Sequence, residues 1–587
     1  MTERPSWALN SDKFKQYLAG MRNAEFVSID TETTGEEFDI RSGEGYAIGI
    51  STAFRAIPGV PITPAYFPIR HFDWNYGPEI LAQLKEVIED VECVVFHNAK
   101  HDLVSLETLG IYRTGKYYDT MLMTHLLDEN EPSKALDYLA KKYLNDSKQR
   151  SEIMQAAINA VGWKMLPADM VREYAEHDAV LCLKLLEEYM DLWLAEECDV
   201  DWEHRQKFVR IIARMEQAGV KIDTALSKKE SLIGEAKMQE IKDEIGKNPG
   251  STKDLQELLI DNLGLPVVKV TPGGKPSFNK EAMVEYEALL AASDNPLASR
   301  VLEYRGWQKT VSSNYKAYLK LLSHDGRLRP NYKLHGTRTG RLSCETPNLQ
   351  QIPRISDKPW NGNLKAAFIP ADGFTLWEFD YAQLELRLGA AYAKDATLKG
   401  IFDDSERDVF TEMAAQLGMA RQDVKTLVYT IQFGGGVTRV ASVFRVPDFR
   451  ARSLIDNFYE TYPGFRQVSS RATSLARGKG YVKLWSGRRR HFTKYERENK
   501  PYKAFNAVIQ GGAADIVMHT IIRLDEFLDY GTDPACRMLL QIHDAVVFEI
   551  ANGREDDYIP QIKGIMEDVK PDFGVKFKVS HNIWGDK

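Results

Sequence analysis

Cysteine is scarce in this chain: Cys93, Cys182, Cys198, Cys344 and Cys536 are spread over 587 residues. No two of them form a C-x-x-C pair, so neither a zinc site nor a disulfide framework is indicated. That usage fits a reducing cytosol, and a cytoplasmic location is the expectation. Long apolar runs are missing as well, and none approaches the roughly 18 residues of a membrane span. The opening Met1-Thr2-Glu3-Arg4-Pro5 has no signal-peptide shape. Internal repeats, low-complexity tracts and long linkers are absent. Positive charge is in deficit, with a net charge of −8 and a pI near 5.9. A basic domain is the usual footprint of a nucleic-acid binder, so the totals argue against that role. They do not decide it, because an acidic protein can line one groove with Lys and Arg.

The length exceeds one hydrophobic core and implies roughly two to four domains. Strand signals at Glu25–Asp30 and Cys93–His97 alternate with helix patterns such as Leu181 to Leu194, which predicts an α/β N-terminal third. From Asp201 to Tyr318 the pattern is helical and highly charged, with turns at Asn248-Pro249-Gly250 and Thr271-Pro272-Gly273-Gly274. A strand returns at Thr375–Asp380. A helical block is expected over about 395–525, then a strand pair near Arg537–Ile550.

Four carboxylates stand out in the N-terminal third. Asp30 and Glu32 are two apart at the end of a strand, so they point to one face. Asp102 follows the second strand. Tyr174 and Asp178 are four apart on a helix and share a face. Each acid alone is an ordinary solvated residue. Together they suit two hard cations that prefer oxygen ligands, and a tyrosine hydroxyl nearby could orient a water.

The C-terminal half holds four ordered blocks. The first is Thr339-Gly340-Arg341-Leu342-Ser343 with Pro347-Asn348-Leu349-Gln350-Gln351-Ile352-Pro353. The second is Phe379-Asp380-Tyr381-Ala382-Gln383-Leu384-Glu385-Leu386-Arg387, an acid at a strand tip that turns into a helix. In the third, Arg421, Lys425, Tyr429 and Phe433 fall every four residues and predict one stripe on one helix. Arg, Lys and an aromatic ring on one face suit a triphosphate with a base or sugar above it. The fourth is Gln541-Ile542-His543-Asp544-Ala545. Asp380 and Asp544, delivered by two strands, can hold a pair of divalent cations for phosphoryl transfer.

The set D-x-E, D, Y-x-x-x-D resembles the DEDDy 3′–5′ proofreading exonuclease domain of DNA polymerases. The C-terminal blocks, with Tyr462-Pro463-Gly464 and Asn506-Ala507-Val508-Ile509-Gln510-Gly511, resemble the family A DNA polymerases over about residues 200–587. The fold implied is an RNase H-like α/β exonuclease domain (1–200), then an α+β right hand. Its parts would be a thumb (201–335), a palm (336–400 and 525–587) and fingers (401–524). The activity implied is template-directed primer extension with dNTPs by a two-metal mechanism, with proofreading. Asp30, Glu32, Asp102 and Asp178 would bind one pair of Mg2+ ions, with Tyr174 orienting water. Asp380 and Asp544 would bind the second pair, and Mn2+ could substitute. Arg421 and Lys425 would hold the triphosphate, with Gln383 and Phe433 also at the nucleotide. Tyr429 and Glu385 would close over its sugar. Arg341, Asn348, Gln350, Asn506, Gln510 and His543 would touch primer–template DNA, largely at the minor groove, where acceptors are shared by all base pairs. Arg488 to Arg490 would form either further phosphate contacts or a solvated turn.

The chain departs from the family at three places. Ala545 stands where a Glu is usual, Phe433 where Tyr is usual, and Phe410 where a His commonly meets the triphosphate. Tyr429, where some relatives have Phe, implies weak discrimination against dideoxynucleotides. A beginning at the proofreading domain, and a region from Arg305 to Gly340 without a large insertion, suggest a compact phage-like replicase. A monomer, with replisome proteins as further partners, is the expectation. The rivals are a nuclease with a degenerate polymerase half, an RNA polymerase or reverse transcriptase, and a non-catalytic scaffold.

Overall fold

The run Val-Ser-Ile-Asp-Thr-Glu-Thr is rich in β-branched residues and forms strand β1 (Val27–Thr33). In the computed structural model of the chain, residues 4–35, 37–149, 151–353, 358–361, 364–404 and 407–585 are described. β1 is the middle of a five-stranded sheet with β2 (Ala47–Phe54), β3 (Thr63–Pro68), β4 (Cys93–Phe96) and β5 (Lys116–Asp119), in the order β3-β2-β1-β4-β5. β1–β2 and β2–β3 are antiparallel, whereas β1–β4 and β4–β5 are parallel. A parallel neighbour needs a crossover, and helix α1 (Ala99–Glu107) supplies it between β4 and β5. All eight residues of β2 are buried, so both faces of the sheet are covered. The 28-residue helix α2 (Ala168–Ala195) packs on β1, β2 and β3 and buries Val171, Tyr174, Asp178 and Leu185. Among the described residues no helix is long and apolar enough to cross a membrane.

Helix α3 (Asp199–Ala218) leads from this domain toward the C-terminal half and packs on both α1 and a long helix of that half. There, strand β6 (Phe374–Tyr381) runs straight into helix α4 (Leu384–Ala393). Gln383, at φ 51°, makes the turn between them. Helices α5 (Val409–Leu417) and α6 (Arg421–Gln432) follow. They share a core with Leu386, Met413, Leu427, Phe458 and Phe505. The helical block expected through 525 is interrupted. Strands β7 (Tyr481–Lys483) and β8 (Arg489–His491) form an antiparallel hairpin before the long helix α7 (Lys503–Phe527). Strands β9 (Cys536–Ile542) and β10 (Ala545–Ala551) then pair, and β11 (Val579–Ile583) completes a sheet in the order β9-β10-β6-β11. The β9–β10 turn is the dipeptide His543-Asp544, with His543 at φ 57°. A two-residue hairpin loop requires such left-handed backbone.

The chain divides into two compact units. One comprises Met1–Ala218, Tyr332–Cys344 and Glu378–His581; the other comprises Gly219–Asn331, Glu345–Trp377 and Asn582–Lys587. α3 groups with the first unit, and residues 345–377 with the second. Within the second unit, helices Thr224–Ile245, Lys280–Leu290 and Leu297–Lys309 accompany a core of Leu255, Leu259, Met283, Tyr286 and Val301. Its small sheet joins Val220–Ile222 to Arg327–Leu328 and Phe368–Ile369. Asn348 and Gln350 lie in this unit, where the Asn348 side chain accepts from the Gln350 backbone N–H at 3.1 Å.

Candidate active sites

The first site forms where β1, α1 and α2 meet. Thr31 joins β1 to α1: its backbone N–H and its hydroxyl both donate to Asp102 Oδ1, at 3.0 and 2.7 Å. Asp102 and Asp178 are each 2% exposed, and Glu32 and Tyr174 are also buried. Burial is the main force on Asp30, Asp102 and Asp178 and raises all three. Asp30 is pushed up to about 7, with Asp178 adding repulsion and Lys148 opposing it. Asp102 is raised well above the usual carboxylate range by burial and then by Asp30, against the Thr31 hydrogen bonds. Asp178 is raised by burial against the pull of Lys148. The Tyr174 hydroxyl is raised by burial, then by Glu32 and Asp178. The five expected residues therefore share one field. Converging carboxylates that raise one another are a donor set suited to hard divalent cations.

Sequence reasoning missed one member of this site. The Lys148 ammonium is 2.5 Å from Asp178 and donates to the Tyr174 hydroxyl oxygen at 3.0 Å. It lies outside the three acidic segments, and no spacing rule reaches it.

The second site forms on adjacent strands β6 and β10. Asp380 is at the end of β6, and the backbone N–H of its neighbour Tyr381 donates to the Asp544 carbonyl at 3.4 Å. This brings the two expected aspartates to one end of one sheet. Arg341 reaches into the same place and pairs with both Glu385 (2.5 Å) and Asp544 (3.4 Å). Burial, opposed by Arg341 and aided by Asp544, lifts Glu385 to about 7. Asp544 is raised by burial against the charge of Arg341. Acids that cost this much to ionise here fit a cation site. Ala545 is 2% exposed, so its methyl group packs inward at the start of β10. His543 is exposed at the turn, while Asn506 and Gln510 lie one turn apart on α7 and are half-buried.

The aromatic–basic stripe is present, with one amendment. α6 ends at Gln432, and Phe433 follows as its cap because Gly434, at φ 79°, stops the helix. The Tyr429 and Phe433 rings stack at 5.9 Å and 18°. Phe410, 2% exposed, is 5.9 Å from Tyr429, and both Arg421 and Lys425 lie 5.9 Å from its ring. Arg421 pairs with Asp408 at 2.8 Å, but both side chains are more than 40% exposed. An exposed pair of this kind is weak, so Arg421 can exchange Asp408 for another anion. Tyr429, Phe433 and Asn506 line one cleft together with Arg439 and Arg338.

Arg488, Arg489 and Arg490 form neither free phosphate contacts nor a solvated turn. Arg488 is buried and pairs with Asp515 at 3.2 Å. Arg489 pairs with Glu196. Arg490, 6% exposed, pairs with Glu129 at 2.7 Å and Glu496 at 3.3 Å. The β7–β8 hairpin is thus an ionic seam against the N-terminal domain. The cause is burial: a desolvated guanidinium must find a carboxylate.

Comparison with known proteins assigns the two parts of the chain to two family models. Residues 5–192 match the 3′–5′ exonuclease model, and residues 223–586 match that of DNA polymerase family A. The chain is 30% identical to DNA polymerase I of Pseudomonas aeruginosa over 96% of its own length and 63% of that protein. It is 32% identical to the thermostable DNA polymerase I of Thermus thermophilus over 65% of its length and 46% of that protein. It thus spans about half to two-thirds of these curated relatives. A solved structure, the POL domain of Pol1 from M. smegmatis in complex with DNA primer-template and dNTP, superimposes with a TM-score of 0.84. That match covers 98% of this chain and 99% of the other at 23% identity, and so speaks to the fold. With most of its C-terminal half inside the family model and an exonuclease domain ahead of it, the chain belongs to DNA polymerase family A.

Proposed function

We propose that this protein extends the 3′ end of a DNA primer with dNTPs on a DNA template, and removes mispaired primer ends with a separate 3′–5′ exonuclease site. The observation that carries this reading is the meeting of Asp380 and Asp544 at one end of one sheet, with Arg341 and Glu385 beside them. Asp380 and Asp544 would hold divalent cations, Mg2+ in our reading, which supply positive charge beside the attacking and leaving oxygens. In the transfer, the primer 3′-oxygen bonds to the α-phosphorus, the α–β phosphoanhydride breaks, and pyrophosphate leaves. Arg421 and Lys425 offset the negative charge of the triphosphate. Tyr429 and Glu385 bracket the sugar and leave no room for a 2′-hydroxyl. At the other site Asp30, Glu32, Asp102 and Asp178 would hold the cations, and the Tyr174 hydroxyl orients the attacking water.

Five free cysteines, four of them buried, suit a reducing cytoplasm, which for a phage enzyme is the host's. A monomeric phage replicase, working with replisome proteins, is the biological setting we infer from the region Arg305 to Gly340, which carries no large insertion. The decisive experiment is primer extension with Mg2+ by the parent, Asp380→Ala and Asp30→Ala. Asp380→Ala should lose synthesis, and Asp30→Ala should lose only excision. Extension that persists in Asp380→Ala would overturn the reading.

A further inference from the structure

Helices α3 and α7 pack against each other within the first compact unit. Asp201 and His204 are three apart on α3 and so share one face. His519, on α7, meets that face. The His204 and His519 rings stack at 4.1 Å and 28°, and His519 Nε2 stands 3.7 Å from Asp201 Oδ1. One ligand atom from each of the three residues lies within 4.8 Å of the others. Neither active site uses any of them.

The polar atoms of this cluster are poorly met by the protein. Asp201 is 3% exposed. Among the described residues its Oδ1, His519 Nε2 and His204 Nδ1 are buried atoms without a hydrogen-bond partner. The 3.7 Å approach of His519 pulls on Asp201 but is long for a hydrogen bond. Buried polar atoms are nearly always satisfied, so three unmet in one cluster call for a common partner. Arg205 lies 2.6 Å from the other carboxylate oxygen, Oδ2. It has a second acid in Asp515 at 3.3 Å, which also takes Arg488. Oδ1 can therefore turn to a cation without stranding Arg205. Burial raises the Asp201 carboxyl, but Arg205, then His519 and Arg488, outweigh it and hold the group below its ordinary value. Burial, then the charge of His519, lowers His204. A neutral imidazole keeps a lone pair to give.

We infer that Asp201, His204 and His519 form a third cation site, separate from the two active sites, that takes Zn2+. Two imidazoles and one carboxylate suit such a transition-metal ion, whereas Mg2+ and Ca2+ prefer oxygen shells. At bond lengths of about 2.0–2.1 Å, two ligand atoms on one tetrahedral Zn2+ stand about 3.4 Å apart. The gap between His519 and Asp201 is close to that already, and a rotation of the His204 ring brings in the third ligand. A fourth position is left for water. The ion would staple α3, which leads out of the N-terminal domain, to α7, which carries Asn506 and Gln510. The site uses no cysteine and draws on both halves of the chain, so no C-x-x-C spacing announces it.

The test is calorimetric titration of the full chain with Zn2+ in excess Mg2+, which occupies the all-carboxylate sites. The parent should bind a single Zn2+. His204→Gln and His519→Gln should each bind it at least about tenfold more weakly, the lower bound even for losing an outer partner of a ligand. Zn2+ should also raise the Tm of the parent by a few degrees and that of His519→Gln by less. Unfolding in EDTA checks that each variant folds. Equal Zn2+ affinity in the parent and both folded variants would overturn the proposal, as would a parent that binds no Zn2+ once Mg2+ is in excess. Should the variants fail to fold, the parent's spectrum with Co2+ in excess Mg2+ decides. Intense four-coordinate visible bands are expected, and the weak spectrum of a six-coordinate, all-oxygen ion would overturn the site.

Discussion

The guanidinium of Arg341 stands between two carboxylates, bonding Glu385 at 2.5 Å and reaching Asp544 at 3.4 Å. In the proposed function Glu385 serves the sugar filter and Asp544 the catalytic pair, so one side chain would couple substrate selection to chemistry. Arg341→Ala leaves Glu385 buried without its cation, which is costly. Primer extension should fall by about 10–100-fold, as is usual for a lost partner of a metal ligand. Arg341→Lys should restore only part of it: the single nitrogen Nη2 reaches both acids, and the more strongly hydrated ammonium costs more to hold in this buried place. Single-turnover extension with each variant checks this.

Tyr429 stacks on Phe433 and touches Phe410, so its ring is fixed by packing while its hydroxyl is the variable part. Efficient termination by dideoxynucleotides is expected of the parent. Tyr429→Phe keeps the ring and removes one hydroxyl. Discrimination against dideoxynucleotides should then rise by about tenfold or more, the size of one hydrogen bond. Competition between dNTP and ddNTP at equal concentration measures it, and a parent that ignores ddNTP would refute the expectation.

The ionic seam predicts a stability effect far from either active site. Glu129→Ala strips Arg490 of a partner 2.7 Å away in a buried setting. Losing one member of such a pair costs about 3 kcal/mol, which should appear as a lower Tm. Adding Arg490→Met should recover part of the loss, since the unpaired guanidinium is then gone while Glu496 keeps Arg338 and Lys503 beside it. Additive losses in the double variant would argue against the pairing.

His491 gives the seam a pH dependence. Burial pulls its pKa down, but the hydrogen bond and charge of Glu129, followed by Glu196, outweigh burial and leave it raised. A raised histidine stabilises the fold below its ordinary pKa of about 6.5. That contribution fades as pH climbs through the raised value. The Tm of the parent should therefore exceed that of His491→Gln by more at pH 6 than at pH 8.5. A gap that is constant or widens with pH would contradict the assignment.

Both acid sets were legible because their placement is local. A strand ending in Asp380, an i and i+2 pair at Asp30 and Glu32, and an i and i+4 pair at Tyr174 and Asp178 each follow from the period of one element. What stayed hidden depends on distant partners. Arg490 meets Glu129 across 361 positions of chain, so no periodicity announces it. The arginine run was open to two readings, and burial produced a third. Lys148 escaped for the same reason, since its place beside Asp178 comes from a loop rather than from a repeat. The short β7–β8 strands were missed because three residues carry almost no pattern. The stripe was extended one residue too far, onto Phe433, because the left-handed backbone at Gly434 ends α6 just after Gln432.

The seam at β7–β8 also limits how this protein can be rebuilt. Glu129 and Glu196 come from the N-terminal domain, and Arg489, Arg490 and His491 from the hairpin. A chimera whose exonuclease domain lacks acids at these two positions would leave desolvated cations with no acids opposite them. Transplanting the exonuclease domain would therefore mean moving the hairpin with it. In recombination between related genes, these five positions would travel as one unit.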